Sequence, residues 1–139
     1  MIKFDIECST EFILAKAYRQ VHAELREELK KWGITPCQLI VMAFLWENDG
    51  NFQAELSQKS TIDRTTTGGI IDNLEKMGLV TRQSSPKDRR AYQVMLTEKG
   101  KNLEDELCQA IFRVQQRIAA RITPEGYVRL QELLGKLLN

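Results

Sequence analysis

Few residues in this chain have the types and spacing that catalysis needs. There is one histidine, His22, and three scattered cysteines, Cys8, Cys37 and Cys108. No HExxH, no CxxC and no glycine-rich phosphate loop accompanies them, so no nucleophile–base pair and no metal-ligand set can be named. The expectation is a protein without enzymatic activity, cofactor or metal. A different chemistry is concentrated between residues 63 and 90. Asp63 and Arg64 lead into Thr65-Thr66-Thr67-Gly68-Gly69, and Arg82, Lys87, Arg89 and Arg90 follow with Asp88 as the one acid among them. From Arg82 to Arg90 the local net charge is +3, in a chain whose net charge is +1. Any polyanion binding must therefore come from where the charges sit and not from their sum.

The stretch DRTTTGGIIDNLEKMGLV, residues 63–80, has a helical apolar period, yet its first half suits a helix poorly. Each glycine costs about 0.8–1 kcal/mol against alanine in a helix interior, and each threonine roughly half a kcal/mol. On a helical wheel Thr67, Ile70, Leu74 and Met77 fall within about 80° of one another and face the core. Thr65, Gly68, Gly69, Asp72 and Lys76 lie opposite. A purely structural helix would gain stability there from Ala, Glu or Lys. Small hydroxyls and bare backbone make sense where another bulky surface comes close. Asp72 opposes a phosphate-bearing surface: either it clears the backbone or it accepts from a cytosine amino group, and both readings stay open.

The elements that must position these residues can be read from periodicity. A first helix opens at Ser9 or Thr10 and runs to about Lys31, with Ile13, Leu14, Ala17, Tyr18, Val21, Leu25 and Leu29 as its stripe. Gly33 ends it, Thr35 is an N-cap and Pro36 a first helical residue. The second helix, about 36–48, is apolar nearly all round and belongs at the centre. A short helix, Gln53 to Ser60, carries Leu56 inward. Leu79–Gln83 and Tyr92–Leu96 read as two short strands around the polar tip SSPKDRRA. Thr97 starts one long helix through Ile122, and Thr123-Pro124 starts a last one. The 139 residues fit a single domain. The longest apolar run, LIVMAFLW, is far short of a membrane span. MIKFDIECST has no signal-like apolar run, and scattered cysteines suit a reducing compartment, so a cytoplasmic location is expected.

A short helix, a tight turn, a small-faced helix and a basic hairpin follow one another in the order of a winged helix-turn-helix. The expected fold is mainly α with a small β-hairpin wing. In such a unit the second helix enters the major groove of double-stranded DNA with its N-terminal residues at the base edges. Its unpaired N–H groups favour a nearby phosphate, and a basic loop reaches the minor groove. The expected recognition-helix contacts are Arg64, Thr65, Thr66, Gly68 and Gly69; the expected wing contacts are Lys87, Arg89 and Arg90. The competing reading is a winged-helix module that binds a protein partner and no DNA.

Residues 55–100, ELSQKSTIDRTTTGGIIDNLEKMGLVTRQSSPKDRRAYQVMLTEKG, closely resemble the DNA-binding core of MarR-type transcriptional regulators. LEKMGLVTR, the segment DRRAYQVMLTEKG and their spacing carry the resemblance, and flanking helices extend it over nearly the whole chain. It implies a homodimer on a palindromic operator, with residues 8–32 and 101–139 as dimerisation helices and 34–100 as the DNA-binding lobe. A repressor is expected before an activator. The resemblance also implies a wing brace between Asp63 and Arg90. Family members often sense small phenolic or aromatic acids, and Tyr18, Arg19, His22 and Trp46 are the side chains here that could line such a cleft. One branch senses peroxides through a cysteine just inside the first helix; that position is Glu11 here, with Cys8 about a turn earlier, a departure from the pattern. Cys37, in the first turn of the second helix, is either a thiol with a lowered pKa or a small buried hydrophobe, which keeps a thiol-based redox regulator as a further alternative.

Overall fold

Gly33, at φ +65°, and Thr35 divide the first helical segment from the second. The chain is described here by a computed structural model, which covers residues 1–88 and 91–138. Its helices are α1 (Thr10–Leu29), α2 (Pro36–Glu47), α3 (Gln53–Ser60), α4 (Arg64–Lys76), α5 (Glu98–Asn102), α6 (Glu104–Ile122) and α7 (Pro124–Leu137). Its strands are β1 (Val80–Ser84) and β2 (Tyr92–Leu96). The chain forms two compact units: Leu29–Leu107, and Met1–Glu28 together with the chain from Cys108 onward. Two expectations need correction. α1 stops at Leu29 and Lys30–Trp32 are a 3-10 turn. The single helix expected after Thr97 is broken at Leu103 into α5 and α6. Near that break the Gly100 carbonyl accepts the Trp46 indole N–H at 3.0 Å. Gly100 also lies so close to the chain that a side-chain carbon there would run into the Leu79 carbonyl oxygen.

Within the Leu29–Leu107 unit, α2 supplies the centre. Thr35 and Gln38 form a reciprocal capping box, satisfying two N–H groups that the helix start leaves free. Leu39, Val41, Met42 and Leu45 of α2 are buried together with Leu56 of α3 and Ile71 and Leu74 of α4. α4 closes in a Schellman motif: Leu79 N–H bonds to Leu74 O and Gly78 N–H to Glu75 O, with Gly78 at φ +74°. β1 and β2 pair antiparallel, from Val80 opposite Leu96 to Ser84 opposite Tyr92. The hairpin is tied to the α2–α3 turn. Gly50 N–H donates to Val94 O at 3.1 Å, and Val94 N–H to Asn51 O at 2.9 Å.

In the other unit α1 and α6 are joined by ion pairs. Glu24 accepts from Arg121 at 2.6 and 2.9 Å, and Glu28 accepts from Arg113 at 2.7 Å and Arg117 at 3.2 Å. Hydrogen bonds from Arg121 hold the Glu24 carboxyl below its ordinary pKa, and those from Arg113 and then Arg117 do the same for Glu28. Burial acts in the opposite direction at both. Thr123, the N-cap of α7, accepts from Gly126 N–H.

Candidate nucleic-acid interface

The turn between α3 and α4 is built by small polar side chains converging on one carbonyl. Ile62 O accepts the Ser57 hydroxyl at 2.6 Å and the Thr67 hydroxyl at 3.3 Å. Ser60 Oγ in turn accepts Ile62 N–H at 3.3 Å. Thr61 makes the turn at φ +59°, a left-handed conformation that β-branched residues rarely adopt. Thr67 is fully buried, so its place in the sequence is set by this turn and not by any ligand.

Asp63 caps α4. Its carboxylate accepts Thr66 N–H and the Thr66 hydroxyl, both at 2.8 Å. Those two bonds hold its pKa below the ordinary value, so it is anionic at neutral pH. This alters the expectation for phosphate. Thr66 N–H is already bonded to a carboxylate, and a negative charge already stands at the helix start. The first turn of α4 is therefore better suited to base edges than to a phosphate. Arg64, Thr65, Thr66 and Gly69 are all exposed, and nothing stands within 4 Å of where a Gly69 side chain would begin.

Gly68 is a correction. The wheel sets it on the outward face with Gly69, but it is only half-exposed. Its carbonyl accepts Arg82 Nη2 at 2.9 Å, and a side-chain carbon on it would meet Gln53 Nε2 at 3.3 Å. The close-approaching surface at Gly68 is therefore the protein's own. Arg82 crosses from β1 to make that contact. Its Nε donates to Gln53 Oε1 at 2.9 Å, and its Nη1 donates to both Asp72 Oδ1 and Glu75 Oε1 at 2.5 Å. Asp72, which looked awkward beside DNA, thus has a cationic partner within the chain. Arg82, counted from the sequence in the local charge of +3, is opposed by two acids.

Sequence reasoning missed Arg82, Gln53 and Glu75 as one group, though a signal was present. Strand alternation sets Arg82 on the face of Val80, which is buried, and between them Thr81 is exposed. An arginine on an inward strand face needs anions, and Asp72 and Glu75 stand three residues apart on the preceding helix.

The other expected residues are placed as follows. Lys87 is exposed at the hairpin tip, where its N–H donates to Ser85 Oγ at 3.3 Å. Arg89 and Arg90 lie outside the described residues, so the Asp63–Arg90 brace does too. A cleft of about 390 Å³ is lined by Phe52, Gln53 and Ala54 of the α3 start, Arg64, and Ala91 and Tyr92 at the hairpin. Of the residues named for an effector, the Tyr18 hydroxyl and His22 Nδ1 are hydrogen-bonded at 3.3 Å, and Arg19 Nε donates to Ala15 O. Trp46 spends its indole N–H on Gly100 O, inside the other unit. Cys8 is exposed with its thiol donated to Asp5 Oδ2 at 3.4 Å, Cys37 is half-buried and Cys108 exposed. Among the described residues no cluster of His, Cys, Asp or Glu could hold a metal ion, and no helix is long and apolar enough to cross a membrane.

Residues 34–92 match the MarR family. The crystal structure of the transcriptional regulator PA4135 is 30% identical, with a TM-score of 0.82, over 93% of this chain and 95% of that one. The transcriptional repressor NicR of Pseudomonas putida is 26% identical over 98% of this chain and 86% of its own length. The repressor CouR, solved bound to a 23-mer DNA duplex, shares the fold: TM-score 0.90 at 24% identity, covering 99% of this chain and 100% of that one.

Proposed function

The chain belongs to the MarR family of winged-helix DNA-binding transcriptional regulators, and from that premise we propose that it reads its operator with the start of α4. Arg64, Thr65, Thr66 and Gly69 face the base edges, and Lys87, Arg89 and Arg90 serve the wing. The observation that carries this reading is the exposure of Arg64, Thr65, Thr66 and Gly69 at the start of α4, capped by Asp63 and open at Gly69. Gly68 is withdrawn from the contact set because Arg82 and Gln53 cover it.

The regulator acts in the cytoplasm as a homodimeric repressor, assembled through the apolar faces of α1, α6 and α7. Two recognition helices must then stand about 34 Å apart, one turn of DNA. A small aromatic or phenolic acid that favours another spacing weakens operator binding by its differential affinity for the two states. Tyr18, Arg19 and His22 remain the candidate effector contacts; Trp46 has its polar edge committed elsewhere.

The deciding experiment measures binding to the gene's own upstream DNA and to scrambled DNA over a salt series. The expected result is preference for the upstream sequence with a steep slope, each neutralised phosphate contributing about −0.9 on a log–log plot. Gly69→Glu should fold normally and lose this binding. Unimpaired binding by that variant would refute the α4 assignment. A flat salt slope without sequence preference would favour a protein partner.

A further inference from the structure

Arg82 is bonded to four acceptors on two other elements. A guanidinium carries five N–H groups, and four of them are spent on Gln53 Oε1, Asp72, Glu75 and the Gly68 carbonyl. Its side chain is 17% exposed, against 59% for Asp72 and 37% for Glu75. Its bonds run from one strand of the hairpin to two other elements: α3 through Gln53, and α4 through Gly68, Asp72 and Glu75. Only one N–H remains, too few for the paired contact by which arginine grips a phosphate or a guanine.

We propose that Arg82 is a positioning residue, locking the hairpin against the recognition helix, and that it makes no DNA contact of its own. The three separate pieces of the reading surface become one rigid body. A side-chain carbon on Gly68 would press on Gln53 Nε2 at 3.3 Å, and Asp72 and Glu75 supply the charge that holds Arg82. Lysine could supply the charge but not the planar fork that reaches four acceptors at once. The inference rests on the DNA-binding reading for its consequence, and its geometry can be tested without DNA.

The test compares wild type, Arg82→Gln and Arg82→Lys in two measurements. One is affinity for the upstream DNA over a salt series. The other is amide hydrogen exchange across β1 and β2 in the free protein. Arg82→Gln should lose affinity by on the order of tenfold or more, keep the wild-type salt slope, and exchange its hairpin amides faster. Arg82→Lys should fall between the two. A slope lowered by about one unit would make Arg82 a phosphate contact and overturn the proposal. Unchanged affinity and exchange would overturn it as well. If wild type itself binds no DNA, the function reading fails, and hydrogen exchange alone decides the brace: faster hairpin exchange supports it and unchanged exchange overturns it. Should Arg82→Gln not fold, Asp72→Ala combined with Glu75→Ala replaces it. Removing two negative charges would tighten DNA binding if they only repelled phosphate. The brace requires the reverse, weaker binding with faster exchange, and tighter binding would overturn it.

Discussion

The two units treat their apolar side chains in opposite ways. In Leu29–Leu107 the large side chains close over one another: Leu39, Met42, Leu45, Leu56, Ile71, Leu74 and Val94 are at most 3% exposed. In the unit made by α1, the latter part of α6, and α7, Phe4, Ile6, Ile13, Phe112, Val128 and Leu137 are each more than half exposed. An ordinary monomer does not leave so much apolar surface in water. The difference separates a lobe that completes its own core from a unit that leaves apolar side chains exposed, the face the proposed homodimer would cover. On the dimer proposed above, it also separates a stability set by local packing from one that would depend on protein concentration.

The largest effect should come from breaking the incomplete unit. Val128→Glu with Leu133→Glu places two carboxylates where the second copy should pack, at a cost of several kcal/mol, roughly 3 or more. Sedimentation should show a monomer, and operator affinity should collapse with it. A variant that stays dimeric would remove these residues from the interface. Next comes a break in the complete unit. Gly100→Ala pushes a methyl group into the Leu79 carbonyl, and overpacking of this kind costs about 1–3 kcal/mol. Urea denaturation should show that loss, and the oligomeric state of the native protein should not change.

Smaller effects sharpen the distinction inside α4. Gly69→Ala should raise stability by about 0.8–1 kcal/mol, the full helix-propensity gain, because nothing stands near it. Gly68→Ala should gain less or lose, since its new carbon meets Gln53 Nε2 at 3.3 Å. Equal gains at the two glycines would show that Gly68 is as open as Gly69.

The smallest effect is electrostatic. The folded pKa values of Glu24 and Glu28 are lowered, so their contribution is present above the ordinary carboxylate pKa, near about 4.3. It is lost as pH falls through the lowered values. With arginine partners about half exposed, 43–49%, each pair contributes about 1 kcal/mol or less. Glu24→Gln with Glu28→Gln should flatten the acid side of a stability–pH profile. An unchanged profile would show that these pairs contribute nothing measurable.

Much of this was legible because it is local. Thr35-Pro36 and Gly33 mark helix ends through backbone geometry alone, and the period of Thr67, Ile70 and Leu74 orients α4 without reference to anything else; Ile71, outside that set, is fully buried too, and Met77 only partly. The alternation in 79–83 and 92–96 names the hairpin, its first strand one residue early. The wheel failed at Gly68, because it treats a helix as if solvent lay on every side, and local reasoning did not find the partner that Asp72 has in Arg82. It failed again at Gly100 and Trp46, where one hydrogen bond joins residues 54 positions apart.

The sequence by itself determined the order of the elements from α1 to β2, the small-faced helix before a basic hairpin, and through them the family. Each of those depends on side chains and neighbours a few positions away. Only the tertiary structure decided which cations face outward and which are spent inside. Arg82 and Lys87 are five residues apart and identical in charge, yet one is held by Asp72 and Glu75 and the other is exposed. The reason is physical: a charge acts through space on whatever the fold brings near it, and chain separation carries no information about that distance.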